Sequence, residues 1–247
     1  YYIYYSLVYY KIRFKNFIRD PFSVNYRKIY KSLLSLQNSK IGKSCFVLAN
    51  GPSLKKINPH KLKKYSLETK SEIFCLSHFP NSEFSQITGY DYWLLSDDKW
   101  MKQDASNIDE RYSRTINKVN QNIKKKVFIP SNYVKNFQNV FKKEVVGFND
   151  IEVPSFISNS IDPTLPRSFI SMSAYKALAI ACYMGFEPIY ICGFDNSYVK
   201  NLRNDKNNNI YGLVEHFDST AYDYKSSDPK SNLAYQHRTV ADELISK

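Results

Sequence analysis

The chain has 247 residues, 43% of them apolar, and carries a formal net charge of +12 with a pI near 9.3. That composition supports a real core in one α/β-sized domain, alone or with an appendage, and the charge suits either an anionic partner (nucleotide phosphates, acidic glycans, an anionic membrane or nucleic acid) or a plain solvated basic surface. The basic residues are scattered without an arginine-rich tail or a recognised nucleic-acid motif, and no uncharged apolar run reaches spanning length, so a nucleic-acid module and a transmembrane protein are both disfavoured.

The first thirty residues, "YYIYYSLVYYKIRFKNFIRDPFSVNYRKIY", are dense in tyrosine and turn basic toward Pro21. Such a segment suits a membrane interface, with rings at headgroup depth and cations facing phosphates. It equally suits a helix packed on its own domain. The expectation is an N-terminal aromatic and basic helical arm over 1–40, followed by one α/β domain over 41–247. The chain starts without Met and stops inside the helical pattern "ADELISK", as a piece of a longer protein would.

From residue 44 onward, strands alternate with helices. Cys45–Ala49, Ile73–Leu76, Tyr92–Leu95, Val127–Ile129 and Ile189–Cys192 read as buried strands. "SMSAYKALAIACYMGF" reads as a helix capped by Ser171 or Ser173 and ended by Gly185. Asn117–Lys126 reads as a basic, Asn-rich connection, and Asn201–Asn209 as a flexible, lid-like loop leading into the C-terminal region. This alternation predicts a mostly parallel sheet covered by helices on both faces, with ligands at the carboxyl ends of the strands. "ANGPS", "LSHF", "LLSDD" and "GFDNSY" all fall at those ends. The cysteines (Cys45, Cys75, Cys182, Cys192) sit in apolar runs without metal-ligand spacing and read as small core residues in a reducing compartment.

The turn after the first strand, Asn50-Gly51-Pro52-Ser53, has the physics of an anion site. Gly51 allows close backbone approach, Pro52 fixes the start of the next helix, and Ser53 can cap it while amide hydrogens face the crevice. Asn50 adds a side chain able to donate and accept. The same residues also serve a plain strand-to-helix turn. Neither GxxxxGK[ST] nor GxGxxG occurs, and the second strand ends in Ser77-His78 where a dinucleotide fold usually carries an acid.

"VLANGPSL" together with "SMSAYKALAIACYMGFEPIYICGFDNSY" resembles the superfamily of sialyltransferase-like enzymes and motility-associated-factor glycosyltransferases, which it shares with 6-hydroxymethylpterin pyrophosphokinase-like proteins. The resemblance spans about residues 44 to 240. It implies a Rossmann-like sheet and transfer of a nonulosonic acid from a CMP-activated donor to a glycan or glycoprotein acceptor, with chemistry that needs no metal. It places the nucleotide on Asn50, Gly51, Pro52 and Ser53, a polar contact at Ser173, and an acid at Asp195 beside Asn196. The pyrophosphokinase branch implies ATP and Mg²⁺ instead, for which Asp97-Asp98 is the carboxylate pair to consider. A non-catalytic component of a polysaccharide-assembly complex is a further alternative. The expected place is the cytoplasm, with contact to the inner face of the membrane.

Transfer to an acceptor hydroxyl needs a base, and the departing phosphate needs donors. His216, in the polar and aromatic loop "VEHFDSTAYDY", is the expected base, with Tyr198 and Tyr222 as phosphate donors. Ser77, His78 and Ser96, with Asp97, are expected to line the nucleotide. Arg167 is expected to grip the sugar carboxylate. His60 and His237 read as ordinary helix residues.

Overall fold

In the computed structural model, the residues described are 31–97, 110–153, 160–168 and 172–195, together with the backbone of three later strands. The elements run β1 (Cys45–Leu48), a 3-10 turn (Pro52–Lys56), α1 (Pro59–Glu68), β2 (Glu72–Leu76), a second 3-10 turn (Phe79–Asn81), α2 (Glu83–Thr88), β3 (Tyr90–Leu94), α3 (Glu110–Asn122) and β4 (Ile123–Pro130). They continue with α4 (Val134–Phe137), β5 (Glu144–Phe148), β6 (Glu152–Val153), β7 (Arg167–Ser168), α5 (Ser173–Met184) and β8 (Ile189–Cys192). Finally come β9 (Leu202–Asn204), β10 (Ile210–Val214) and β11 (Tyr222–Asp223), which form a small antiparallel sheet.

Six strands pair in the order β5-β4-β3-β2-β1-β8, and every pairing is parallel. The chain is therefore an α/β protein of Rossmann-like type, as the alternation predicts. Period-two alternation divides the core. Phe46, Leu48, Ile73, Cys75, Trp93 and Val127 face a layer containing Leu62 of α1, Phe84 of α2 and Ile116 and Val119 of α3. Cys45, Val47, Phe74, Leu76, Tyr92, Leu94 and Phe128 face Ala177, Ile180, Ala181 and Met184 of α5. Both faces of the central strands β1, β2 and β3 are thus dry, which is why they read as apolar runs, while the edge strand β8 stays partly exposed.

Residues 31–40 dock on this second layer. Leu33 and Leu36 are buried in it, and the Asn38 and Lys40 amides donate to the Tyr183 and Met184 carbonyls at the end of α5. The helix ends at Gly185, whose left-handed backbone (φ 84°) closes the last turn onto the Ala181 and Cys182 carbonyls.

Three local expectations are corrected, and β5 is a strand the sequence reading did not include. Cys182, expected in the core, is exposed on α5. The Asn117–Lys126 stretch is not a connection: its first half ends α3 and its second half begins β4. Lysines at 124 to 126 tolerate a strand because the amino-terminal part of β4 is only partly covered. The fifth strand, "EVVGF", is short and half polar at its start, so its pattern is weak. Part of the expected 201–209 loop, Leu202–Asn204, is strand β9 paired with β10.

The amino-terminal edge of the sheet is held by one buried acid. Glu72 accepts from Lys40 Nζ at 2.9 Å and from Tyr92 Oη at 2.5 Å, and Lys125 Nζ lies 2.6 Å away. Burial works to raise its carboxyl pKa, but the bonds from Lys125, Lys40 and Tyr92 outweigh that and hold it below the ordinary range. Glu72→Gln is therefore expected to cost about 1–2 kcal/mol, since charge-assisted bonds from partly exposed lysines become neutral ones. Because the folded pKa is depressed, the contribution of Glu72 is complete above the unfolded value of about 4.3 and is lost as pH falls through the folded value. Urea midpoints measured against pH should drop below about pH 4 in the wild type. The drop should be shallower in the Gln variant.

Candidate functional site at the carboxyl edge

All six strands of the main sheet end on one edge, and the strand order reverses between β1 and β8. From β1 the chain proceeds to β2 on one side, while β8 lies on the other, so the segments after β1 and β8 face each other across a topological switch point. Their contacts are short. The Ala49 amide donates to the Cys192 carbonyl at 2.8 Å, and the Gly51 amide to the Gly193 carbonyl at 3.0 Å. A Cβ on Gly51 would lie 2.0 Å from Asp195 Oδ2 and 2.3 Å from the Gly193 oxygen. Gly193 has φ 75°, and a Cβ there would lie 2.5 Å from the Ala49 oxygen. Gly51 itself has extended backbone (φ −70°, ψ 155°), so closeness, not handedness, demands glycine.

Asp195 crosses this junction. Its Oδ2 accepts from the Ser53 amide at 3.0 Å and from Ser53 Oγ at 2.9 Å. This differs from the sequence reading in two ways. The N-cap of the 3-10 turn is Gly51, not Ser53, with Pro52 in its first turn. The Ser53 amide does not face the crevice unspent; an internal carboxylate takes the place expected for a phosphate oxygen. The physical reason is the switch point itself, which brings the acid after β8 onto the start of the turn after β1. Asn50, between them, buries its Oδ1 without a hydrogen-bond partner.

Two serines meet on the next part of the edge. Ser96, buried after β3, and Ser173, the first residue of α5, join their hydroxyls at 2.8 Å. Ser173 does not cap α5: the N-cap is Met172, without a side-chain bond. Ser77 and His78 follow β2 on the same edge, and Asp97 follows Ser96. Asn50, Gly51, Pro52, Ser53, Ser77, His78, Ser96, Asp97, Ser173 and Asp195 thus lie along one edge of the sheet. Ser171, Asn196, Tyr198 and His216 lie outside the described residues, as do Asp98 and His237; Tyr222 belongs to β11. His60 is exposed in the first turn of α1.

Arg167 is placed differently from expectation. It is 6% exposed, and its Nη2 donates to Asp150 Oδ1 at 2.6 Å and Glu152 Oε1 at 3.0 Å. Lys176 of α5, also buried, lies 2.8 Å from the same Asp150. Burial lowers the Lys176 pKa, against the pull of Asp150, and Arg167 adds to the lowering. Sequence reading missed this group because Asp150 precedes and Glu152 begins a strand of two residues, too short for periodicity to mark them as buried. It anchors the first turns of α5 to the segment after β5, beside a cavity of about 10 Å³, room for about one water. Among the described residues, no three or more His, Cys, Asp or Glu gather as a metal site. No described helix is long and apolar enough to cross a membrane.

No family model matches the chain, and no curated protein sequence matches it. Among solved structures it is similar to the MAf glycosyltransferase from Magnetospirillum magneticum AMB-1, with a TM-score of 0.41 and 14% identity over 67% of this chain. The likeness is coarse. The chain covers 27% of that larger protein.

The glycine junction yields a test. Gly51→Ala is expected to destabilise the protein by about 1–3 kcal/mol, because the added methyl meets Asp195 and the Gly193 backbone. Thermal unfolding should register the loss without any ligand present. A variant that melts like the wild type would show that the β1–β8 junction opens freely.

Proposed function

We propose that the chain is a glycosyltransferase that moves a nonulosonic acid from a CMP-activated donor to a surface glycan or glycoprotein. The observation that carries this reading is Asn50 Oδ1, a buried acceptor without a partner at the switch point of a parallel sheet. Buried polar atoms are almost always paired, so an exception at the place where such sheets bind nucleotides supports a ligand contact there. A ribose hydroxyl or the cytosine amino group supplies the donor it lacks. The paired motifs quoted from the sequence favour the CMP-sugar branch, and the net charge of +12 suits an anionic donor.

In this reaction the acceptor oxygen attacks the anomeric carbon, and the bond from that carbon to the phosphate oxygen breaks. CMP leaves with the electron pair. The acceptor's proton passes to His216, while Tyr198 and Tyr222 donate to the departing phosphate. Ser53, already held by Asp195, stiffens the turn that positions Asn50. Ser96 and Ser173 present hydroxyls on the same edge.

A thermal-shift panel of CMP, CDP, UDP, GDP and ATP tests the donor. The cytidine nucleotides should stabilise most, with EDTA leaving the effect intact, and Asn50→Ala should weaken it about 3- to 10-fold in Kd. ATP selectivity with strict Mg²⁺ dependence would replace this reading with the pyrophosphokinase one. For the base, His216→Ala should lower turnover of a CMP-nonulosonate by about 10²- to 10⁴-fold at nearly unchanged CMP affinity. His237→Ala should do neither. Full activity in His216→Ala would remove that residue from the mechanism.

A further inference from the structure

The polar group between the end of β2 and α3 has no part in the chemistry above. Ser77 has φ 43°, a left-handed backbone that non-glycine residues rarely hold. Such conformations persist only where the surroundings fix them, and they cluster at functional sites. Here the Ser77 amide donates to the Leu94 carbonyl at 3.0 Å, and its carbonyl accepts from Trp93 Nε1 at 2.8 Å. The bend delivers His78 and the turn Phe79–Asn81 to α3. The His78 ring stacks on Tyr112 at 5.8 Å between centroids, and its Nδ1 lies 3.3 Å from Thr115 Oγ1. Asn81 Nδ2 donates to the same hydroxyl at 2.7 Å.

Thr115 is fully buried, and its hydroxyl accepts from the Asn81 amide nitrogen. The other atom of that amide, Oδ1, is buried without a hydrogen-bond partner. Leaving a buried acceptor unmet is costly, so a fold retains one where a ligand or a water supplies the donor. Position distinguishes the two orphan oxygens. Leu48 pairs with Cys75, so the segments carrying Asn50 and Ser77 leave neighbouring strands side by side. Asn81 lies beyond Ser77 and His78, on the side of β1 away from β8.

Resting on the nucleotide-sugar reading, we propose that Asn81 recognises the transferred sugar, accepting a hydrogen bond from one of its hydroxyl or amide N–H groups. Asn50 holds the nucleotide at the switch point. Asn81 reaches what the nucleotide carries, and the His78–Tyr112 stack gives that moiety a flat wall. A nonulosonic acid is rich in the donors this oxygen lacks.

Calorimetric titration of CMP and of CMP-N-acetylneuraminate into four proteins tests the assignment. Asn81→Ala should weaken CMP-N-acetylneuraminate about 3- to 10-fold and leave CMP unchanged. Thr115→Val, which keeps Asn81 but removes its anchor, should shift the same ratio in the same direction by a smaller factor. Asn58→Ala is the control: Asn58 caps α1 on the exposed surface, so its loss should lower the melting temperature and neither affinity. Equal weakening of both ligands by Asn81→Ala would move the contact to the nucleotide and overturn the proposal. Unchanged affinities with a lowered melting temperature would overturn it too, making the amide a water-bound structural group. A wild type that binds neither ligand would instead overturn the nucleotide-sugar reading, and this assignment with it.

Discussion

The close approach of two backbones at the ends of β1 and β8 is the constraint on which the rest of the edge depends. Gly51 and Gly193 leave no room for side chains there, and the amide of one bonds the carbonyl of the other. Only with that gap closed does Asp195 reach Ser53, and only then does the start of the 3-10 turn sit where Asn50 is buried beside it. A charge-accepting bond of this kind is worth more than a neutral one. It fixes the turn through the chain's own carboxylate.

Positive charge, so prominent in the composition, is spent unevenly. Lys40 and Lys125 serve Glu72 at the amino-terminal edge, while Arg167 and Lys176 serve Asp150 near the other. A buried cation held by internal acids offers little to an anionic substrate, because releasing it would leave an acid uncompensated. Asn50, Ser96, Ser173 and Asn81 are the neutral donors and acceptors along this edge, with Lys55 and Lys56 exposed on the turn after Ser53.

The fold was largely legible because two-sided burial writes itself as plain apolar runs: Cys45–Ala49 and Ile73–Leu76 needed no tertiary knowledge, and the edge strand Ile189–Cys192 is apolar although partly exposed. The α5 helix was legible for the same reason, with Gly185 marking its end. What escaped was set by partners distant in sequence. Nothing near Ser53 announces that Asp195 will occupy its amide, and nothing near Arg167 announces Asp150 and Glu152. Lysines 124 to 126 disguised the start of β4, since a half-covered strand tolerates charge. Asn81 and Thr115 escaped because an asparagine after a strand and a threonine in a helix are individually ordinary. Only their juxtaposition, with one amide oxygen stranded, is informative.

The α5 helix is tethered at both ends. Ser173 meets Ser96 and Lys176 meets Asp150 at its start, while its last carbonyls accept from Asn38 and Lys40 and its final turn closes on Gly185. A rod pinned twice cannot slide or tilt without breaking bonds at one terminus or the other. The helix therefore behaves as a fixed beam under the carboxyl edge, and any change of shape there falls to the connections between strand ends and helices. Those connections can vary in length and composition without disturbing the beam or its tethers.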